Sequence, residues 1–385
     1  SLSRSIHRLE KEFDVVLFSD YILNDKVKKI FESSYIDSLD QIKDDIYISL
    51  KNFLKNLNEF DYYMNNNQTT ISINFDVDYE SSMISDIYMK VISELEELNN
   101  VNTIVKLNNL DSIPNSVLNC ISSNKNISIS FNSNAEYFSN GEKIYNNVND
   151  EELTSKGRCI LSTTSINLGR IGLSNRTKSI EEFYLQLGNI LDFTKNQLVQ
   201  RFDLQASKYK NSFPNLFKNN LIMDSEKVEN SQKIRKVLKN GVLNISLVGL
   251  NECLNFLNEK DKNNLKINIL KFINNKITQY SEDSRLNFII SETKDDYILK
   301  ELLAIDKSIY GTDYFEKEKK KYSLISTTDE EDIKGNYIDV QKFINTRIDI
   351  ILRKNSSEKK ILEVISRARK LGILFFKIKL GKDDN

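Results

Sequence analysis

The chain has 385 residues, 39% hydrophobic and 28% charged, enough for one large domain or two ordinary ones with a substantial core. Its 54 Lys and Arg balance 55 Asp and Glu to a formal charge of -1, so the balance favours neither nucleic acid nor an anionic membrane as partner. The 3 cysteines, Cys120, Cys159 and Cys253, are far apart with no C-x-x-C spacing, which argues against a disulfide framework or a thiolate zinc site and fits a reducing cytoplasm.

In chain order, residues 2–60 read as mainly helical. Ile42, Ile46, Leu50, Phe53, Leu54 and Leu57 make one apolar stripe of the kind that packs on a core. The charged residues 1–12 carry no signal-peptide pattern, and no run approaches the roughly 20 apolar residues of a bilayer span. A strand is expected at 69–77, a helix at 81–98, a strand at 103–107, a helix near 115–121 and a strand at 127–131. Residues 132–156 are polar and read as a loop. Residues 160–171 fit a buried strand with little alternation, and 180–198 an amphipathic helix of about five turns carrying Phe183, Leu187, Leu191 and Leu198.

Further on come a helix at 225–238, a strand at 242–248, helices to about 280 and a strand at 286–290. A helix at 297–305, a strand at 322–326, helices at 340–353 and 358–371 and a strand at 373–380 complete the reading. Strands alternating with helices imply parallel pairing, because parallel neighbours need a long crossover. Periodicity alone leaves a barrel and a doubly wound sheet equally open.

Several stretches carry a resemblance. S-T-T-S-I-N-L-G-R-I-G-L (162–173), L-K-N-G-V-L-N-I-S-L-V-G-L-N-E-C-L (238–254), Asn56-Leu57-Asn58 with Ser72-Ile73-Asn74-Phe75, and Asp306-Lys307-Ser308-Ile309-Tyr310-Gly311 occur in one order. Together they resemble the anaerobic (class III) ribonucleoside-triphosphate reductases, which are glycyl radical enzymes. The resemblance spans roughly residues 45–380. It implies a ten-stranded α/β barrel of two half-barrels, incomplete at the C-terminus, with residues 1–60 as a helical segment packed on a barrel of residues 61–385. A homodimer, or a heterodimer with a reductase, is the assembly it implies.

The same resemblance defines what is missing. The family uses a finger-loop cysteine as a thiyl radical; here Tyr137-Phe138-Ser139-Asn140-Gly141-Glu142 aligns with that loop and Asn140 takes the cysteine's place. No Cys lies between Cys120 and Cys159, and the family's glycyl loop and its four-cysteine zinc site are not recognised in the sequence. Cys159 is a candidate relocated thiol, weighed against the ordinary reading of a small residue at the start of a strand. Cys120 and Cys253 fall on apolar helical faces. His7 is the only histidine, so a Ser-His-Asp triad or a His-based metal site has little to use, and no phosphate-binding P-loop occurs.

No cofactor is therefore expected. What the sequence retains is binding chemistry: Ser72, Asn74, Ser162, Thr164 and Asn167, with Thr163 and Ser165 between them, lie on segments that line the substrate pocket in the family. Their hydroxyls and amides suit ribose and phosphate oxygens, or else bond neighbouring backbone. Arg170 and Arg158 are the candidate cations. The expected function is a catalytically silent paralogue that acts as a binding, regulatory or scaffold protein and takes a nucleotide. The alternative is a reductase component whose glycyl radical part is supplied in trans. Loss of finger-loop chemistry also predicts refilling of the barrel centre by Tyr137, Phe138 and Tyr145 or by Phe375 and Phe376, since an apolar void costs on the order of 24 cal/mol per cubic ångström.

Overall fold

Each strand of this protein has one face against helices and one face against a central space, and the sequence alternates accordingly. The computed structural model describes residues 25–63, 69–75, 79–96, 98, 100–107, 113–131, 137, 146–149, 154, 156–257, 259–316, 318–333, 336–344 and 346–381. The first elements are α1 (Asp25–Tyr63), β1 (Thr69–Asn74), α2 (Tyr79–Glu94), β2 (Val101–Lys106), α3 (Asn115–Ser122) and β3 (Ile127–Ser130). Then come β4 (Ile160–Asn167), α4 (Leu168–Ser174), α5 (Ile180–Ala206), α6 (Pro214–Lys218), α7 (Arg235–Leu238) and β5 (Val242–Val248). They are followed by α8 (Leu250–Phe256), α9 (Lys262–Ser284), β6 (Asn287–Glu292) and α10 (Asp296–Tyr310). Last are β7 (Thr327–Asp329), α11 (Asn336–Phe343), β8 (Ile348–Leu352), α12 (Glu358–Lys370) and β9 (Phe375–Leu380).

The described strands form a six-stranded sheet, β1-β2-β3-β9-β8-β7, and a three-stranded sheet, β4-β5-β6. Pairing is parallel within β1-β2-β3, within β9-β8-β7 and within β4-β5-β6. The antiparallel joint is between β3 and β9, where Ile129 faces Phe376. Two parallel runs of opposite direction meeting at one joint make the half-barrel arrangement of a glycyl-radical-enzyme-type barrel. Side chains of both sheets line one space, the lumen.

Alternation decides which residues go where. On the helix side, Val101, Val105, Ile127, Ile129, Ile245, Leu247, Phe288, Ile290, Ile348, Ile350, Phe376 and Ile378 join one continuous core. α5 contributes Phe183, Leu187, Leu191 and Leu198 to it, all fully buried, each stabilising by roughly 1.5–3 kcal/mol relative to exposure. That helix starts at Ser179, whose hydroxyl accepts from the Glu182 N–H while the Glu182 carboxylate accepts from the Ser179 N–H. No described helix is long and apolar enough to cross a membrane.

Four sequence expectations need correction. The strand expected at 160–171 stops at Asn167, because the Asn167 side chain accepts from the Arg170 N–H and caps α4. The helix expected at 340–353 is helix only to Phe343; I-D-I-I-L then forms β8, a segment too short for its period to separate strand from helix. The helix expected at 225–238 reduces to a 3-10 turn, Ser225–Lys227, and the single turn α7. The strand expected at 322–326 lies further on, at β7.

The glycines of the L-G-R-I-G-L and V-G-L stretches have a packing role. Tyr322 is fully buried, with its ring wedged between Gly169 and Gly249: a Cβ would lie 2.5 Å from the ring at Gly169 and 2.7 Å at Gly249. At Gly172 a Cβ would lie 2.7 Å from the Cys253 Cα, so this glycine lets α4 and α8 approach closely. Gly249 also has φ +70°, a conformation that costs an L-residue roughly 1–2 kcal/mol. Gly249→Ala is therefore expected to destabilise the protein by about 2 kcal/mol or more, strain and clash acting together. A denaturant midpoint equal to that of the unmodified chain would refute this packing account.

Candidate functional site

The lumen holds a cavity of about 1110 Å³. One wall is a ladder of hydroxyls and amides. The register sets Thr163 of β4 beside Asn244 of β5, and Ser165 beside Ser246, which in turn faces Ser291 of β6. Asn244 Nδ2 donates to Ser291 Oγ at 2.9 Å and to Thr163 Oγ1 at 3.3 Å, and Ser291 Oγ donates to Ser246 Oγ at 3.1 Å. Thr293, just past β6, bonds Ser246 at 2.7 Å and Ser165 at 3.0 Å. Asn244, Ser246, Ser291 and Thr293 are all buried. A hydroxyl both donates and accepts, so this wall can turn towards a sugar or an amide without leaving an orphan.

Across the cavity the wall is charged. Asp349 of β8 is 1% exposed, and its Oδ1 accepts from Arg347 Nε at 2.9 Å while Lys379 Nζ lies 2.7 Å from Oδ2. Lys294 Nζ lies 4.0 Å from the same carboxylate and donates to the Arg347 carbonyl at 2.7 Å. Lys377 of β9 donates to Asn126 Oδ1 at 2.6 Å, and Arg347 Nη1 donates to Ser128 Oγ at 3.1 Å. Strand alternation puts Asp349 beside Lys377, and Lys379 beside Ile351.

Three cations thus lie against one carboxylate, and a fourth, Lys377, stands on the neighbouring strand. Burial, reinforced by Arg347 and Lys379, pushes the Lys377 ammonium down to about 7. Burial also lowers Lys294, to about 8, with Asp349 and Glu292 opposing and Arg347 and Lys379 adding to the fall. For Asp349 burial alone acts upward, but Arg347, Lys294 and Lys379 outweigh it and hold the carboxyl well below the usual carboxylate range. Glu292, fully buried and raised by burial, accepts from the N–H groups of Ile325 at 2.6 Å and Ser326 at 3.1 Å.

The residues singled out from sequence are dispersed by the fold. Ser162 and Thr164 turn outward: Arg201 of α5 donates to their hydroxyls at 3.2 and 3.1 Å. Thr163 and Ser165, one residue on in each case, are the ones that reach the cavity. Asn167 and Arg170 meet Asp306 of α10, whose side chain is fully buried. Asp306 accepts from Asn167 Nδ2 at 2.6 Å, Arg170 Nε at 2.5 Å and Tyr322 Oη at 2.5 Å. Burial first, then the Asp306 carboxylate, raises the Tyr322 phenol far above its ordinary value. This network ties α4 to α10.

Ser72 is exposed on β1, and neither it nor Asn74 lines the cavity. Arg158 is a buried clamp, Nε donating to the Asn240 carbonyl at 2.6 Å and Nη1 to the Thr154 carbonyl at 2.9 Å. Cys159 is exposed at the start of β4, and its carbonyl accepts from the Val242 N–H. Cys120 and Cys253 are buried, the Cys120 thiol donating to the Met89 carbonyl. Burial pushes Cys120 up to about 11 and Cys253 higher still. His7, Phe138, Asn140 and Tyr145 lie outside the described residues.

Of the aromatic residues expected to refill the barrel centre, those described do not line the cavity. Tyr137 stacks on Phe375 with ring centroids 4.0 Å apart and bonds Ser130, whereas Phe376 faces the helix-side core. Lys319 pairs with buried Glu252 at 2.7 Å and Lys321 with Asp296 at 2.7 Å. Among the described residues no group of three or more His, Cys, Asp or Glu is placed to hold a metal ion. Lys294, Arg347, Asp349, Lys377 and Lys379 were not singled out from sequence. The K-I-K of β9 and the lone Asp in I-D-I-I-L were the available signals, and reading β8 as helix hid the second.

The family described as anaerobic ribonucleoside-triphosphate reductase matches the chain over residues 29–344. Among solved structures, an anaerobic ribonucleotide reductase superposes with a TM-score of 0.60 at 13% identity, covering 81% of this chain and 54% of that one. The Thermotoga maritima enzyme with citrate in its active site gives 0.61 at 13% identity, over 86% of this chain and 65% of that one. The Thermotoga maritima enzyme in complex with dATP and CTP gives 0.59 at 13% identity, over 86% and 61%. The match spans 54% of the first of these solved chains, so it is a likeness of fold over part of their length. No curated protein sequence matches the chain.

Two measurements test this geometry. Asp306→Ala removes the shared acceptor of Asn167, Arg170 and Tyr322, and is expected to cost about 2–3 kcal/mol of stability, less than a wholly buried pair because Arg170 is partly exposed. A loss under about 0.5 kcal/mol by chemical denaturation would contradict it.

The lysines predict a pH dependence. Their folded values are depressed, so between about 7 and 8.5 the unfolded chain binds more protons than the native one, and stability rises with pH. Lys377→Met should flatten that rise by the share of one group, at most the ~1.4 kcal/mol per pH unit of one whole proton, and leave the share of Lys294. Equal slopes for the two proteins over this window would contradict the assignment.

Proposed function

Because the chain belongs to the anaerobic ribonucleoside-triphosphate reductase family, we propose that it is a catalytically silent member whose barrel binds a small polar ligand, a nucleotide first among them. The observation that carries this reading is the composition of the lumen. A thiyl mechanism needs a thiol at the substrate, yet none of the 3 cysteines lines the cavity. Asn140, at the place the resemblance assigns to the radical cysteine, has no S–H to exchange. The polar side of the chemistry is retained: Thr163, Ser165, Asn244, Ser246 and Thr293 present hydroxyls and an amide to the cavity, opposite a cationic wall.

The related Thermotoga maritima enzyme has been solved in complex with dATP and CTP, which makes nucleotides the first ligands to test. As a regulatory or scaffold protein the chain would pair with a second copy or with a reductase. Size-exclusion chromatography with and without a reductase checks the assembly.

Two experiments test the reading. Titration with ribonucleoside and deoxyribonucleoside triphosphates is expected to raise the melting temperature saturably, and Asn244→Leu to reduce that response at least severalfold. Incubated anaerobically with a reductase activase, S-adenosylmethionine and reductant, the protein should give no glycyl radical doublet by electron paramagnetic resonance and should form no deoxyribonucleotide. A doublet from this chain would overturn catalytic silence, and turnover only on addition of a second radical-bearing polypeptide would favour the in-trans alternative.

A further inference from the structure

The two walls of the lumen differ in kind, and among the described residues the cations of the charged wall outnumber the acids paired with them. Lys294, Arg347 and Lys379 converge on the single carboxylate of Asp349, and Lys377, its cross-strand neighbour, donates to Asn126 beside them. The other acids lining the cavity are engaged elsewhere or lie apart. Glu292 accepts two backbone N–H groups, Asp295 caps α10 by accepting from the N–H groups of Tyr297 and Ile298, Asp296 pairs with Lys321, and Glu96 is exposed. Lys125, the remaining basic lining residue, donates to the Leu95 carbonyl at 2.5 Å.

Crowding like charges in a partly desolvated space is unfavourable, and the depressed ammonium groups of Lys294 and Lys377 are its signature. A purely structural cluster would be balanced by a comparable number of acids. An anion with several oxygens would satisfy all four cations at once, Arg347 through its planar fork and the lysines as point charges.

We propose that Lys294, Arg347, Lys377 and Lys379 form a phosphoryl-anion subsite in the lumen, taking the di- or triphosphate of a ligand whose hydroxyl-bearing part lies on the ladder of Thr163, Ser165, Asn244, Ser246, Ser291 and Thr293. The subsite deepens the binding function proposed above and rests on that reading for the second half of the ligand only. Asp349 is a positioning residue: it holds Arg347 Nε and Lys379 Nζ and leaves the remaining donors to the anion.

The experiment uses the full chain, with isothermal titration and thermal shift against inorganic tripolyphosphate, ATP and adenosine, at pH 6.5 and at two salt concentrations. The expected result is saturable binding of tripolyphosphate and ATP that weakens with salt. Lys377→Met should lower both affinities at least tenfold while the ligand-free protein melts no lower than the unmodified chain, because a repelling charge has been removed. A merely structural lysine would give the opposite, a lower melting temperature. Absence of tripolyphosphate binding to the unmodified chain, or affinity kept within twofold in Lys377→Met, overturns the subsite.

Adenosine and Asn244→Leu separate this from the broader reading. Adenosine bound in an Asn244-dependent way with no tripolyphosphate binding sinks the anion subsite and leaves the nucleotide reading standing. Tripolyphosphate bound with affinity lost in Lys377→Met, and no response to adenosine or ATP, supports the subsite and sinks the nucleotide reading.

Discussion

The strands of the two sheets have one face towards helices and one towards the lumen, and much in this molecule follows from how those faces are filled. The outer face is mainly apolar, because helices α2, α3, α5, α9 and α12 lay their own apolar stripes on it and exclude water, with Ser162 and Thr164, bonded by Arg201, as the exception on β4. The inner face has no such partner. It is held at a fixed distance by sheet geometry, and what stands there must either fill the space or be content with water and one another. Here the inner residues are hydroxyls and amides from β4, β5 and β6 and charges from β8 and β9, so the interior remains a polar cavity rather than a packed core.

The polar interior is assembled as two systems with different electrostatic demands. Around Asn244 and Ser246, hydroxyls and the Asn244 amide N–H bond one another, while the buried Asn244 amide oxygen takes no bond from the ladder. Around Asp349, cations exceed anions. Each system is carried mainly by the strands of one sheet, or by residues at their ends, so the register within each sheet fixes its side chains relative to one another. A site with one uncharged polar wall and one cationic wall is suited to a ligand with a sugar-like part and an anionic part, and the chain's cysteines lie outside it.

Three of the stretches that carry the family resemblance, 162–173, 238–254 and 306–311, meet in one physical unit. Asn167 and Arg170 from the first meet Asp306 from another, while Gly169 and Gly249, from two separate stretches, clasp the ring of Tyr322, whose hydroxyl donates to the same Asp306. Gly172 brings Cys253 of α8 against α4. These residues act in folding: they lock the helices that follow β4 and β5 to α10. Their chemistry, hydroxyl, amide and guanidinium, is also that of a nucleotide pocket, so residue type alone did not separate the two roles.

Local order was legible in the sequence wherever a pattern ran long enough to declare its period. The stripe of α5, the strands β2, β5 and β9 and the helix α12 could all be read directly. Even the barrel was reachable, through motif order rather than periodicity. Three features depended on tertiary structure. In β4 the run S-T-T-S is polar at every position, so only pairing with β5 decides that Thr163 and Ser165 face the lumen while Ser162 and Thr164 face Arg201. In I-D-I-I-L, five residues are too few to tell a strand from a helix, and only parallel pairing with β7 and β9 makes Asp349 an inward carboxylate. The cationic wall gathers Lys294, Arg347 and Lys377 from segments distant along the chain; such a cluster is a property of closure, because charges become neighbours only when the sheets that bear them come together.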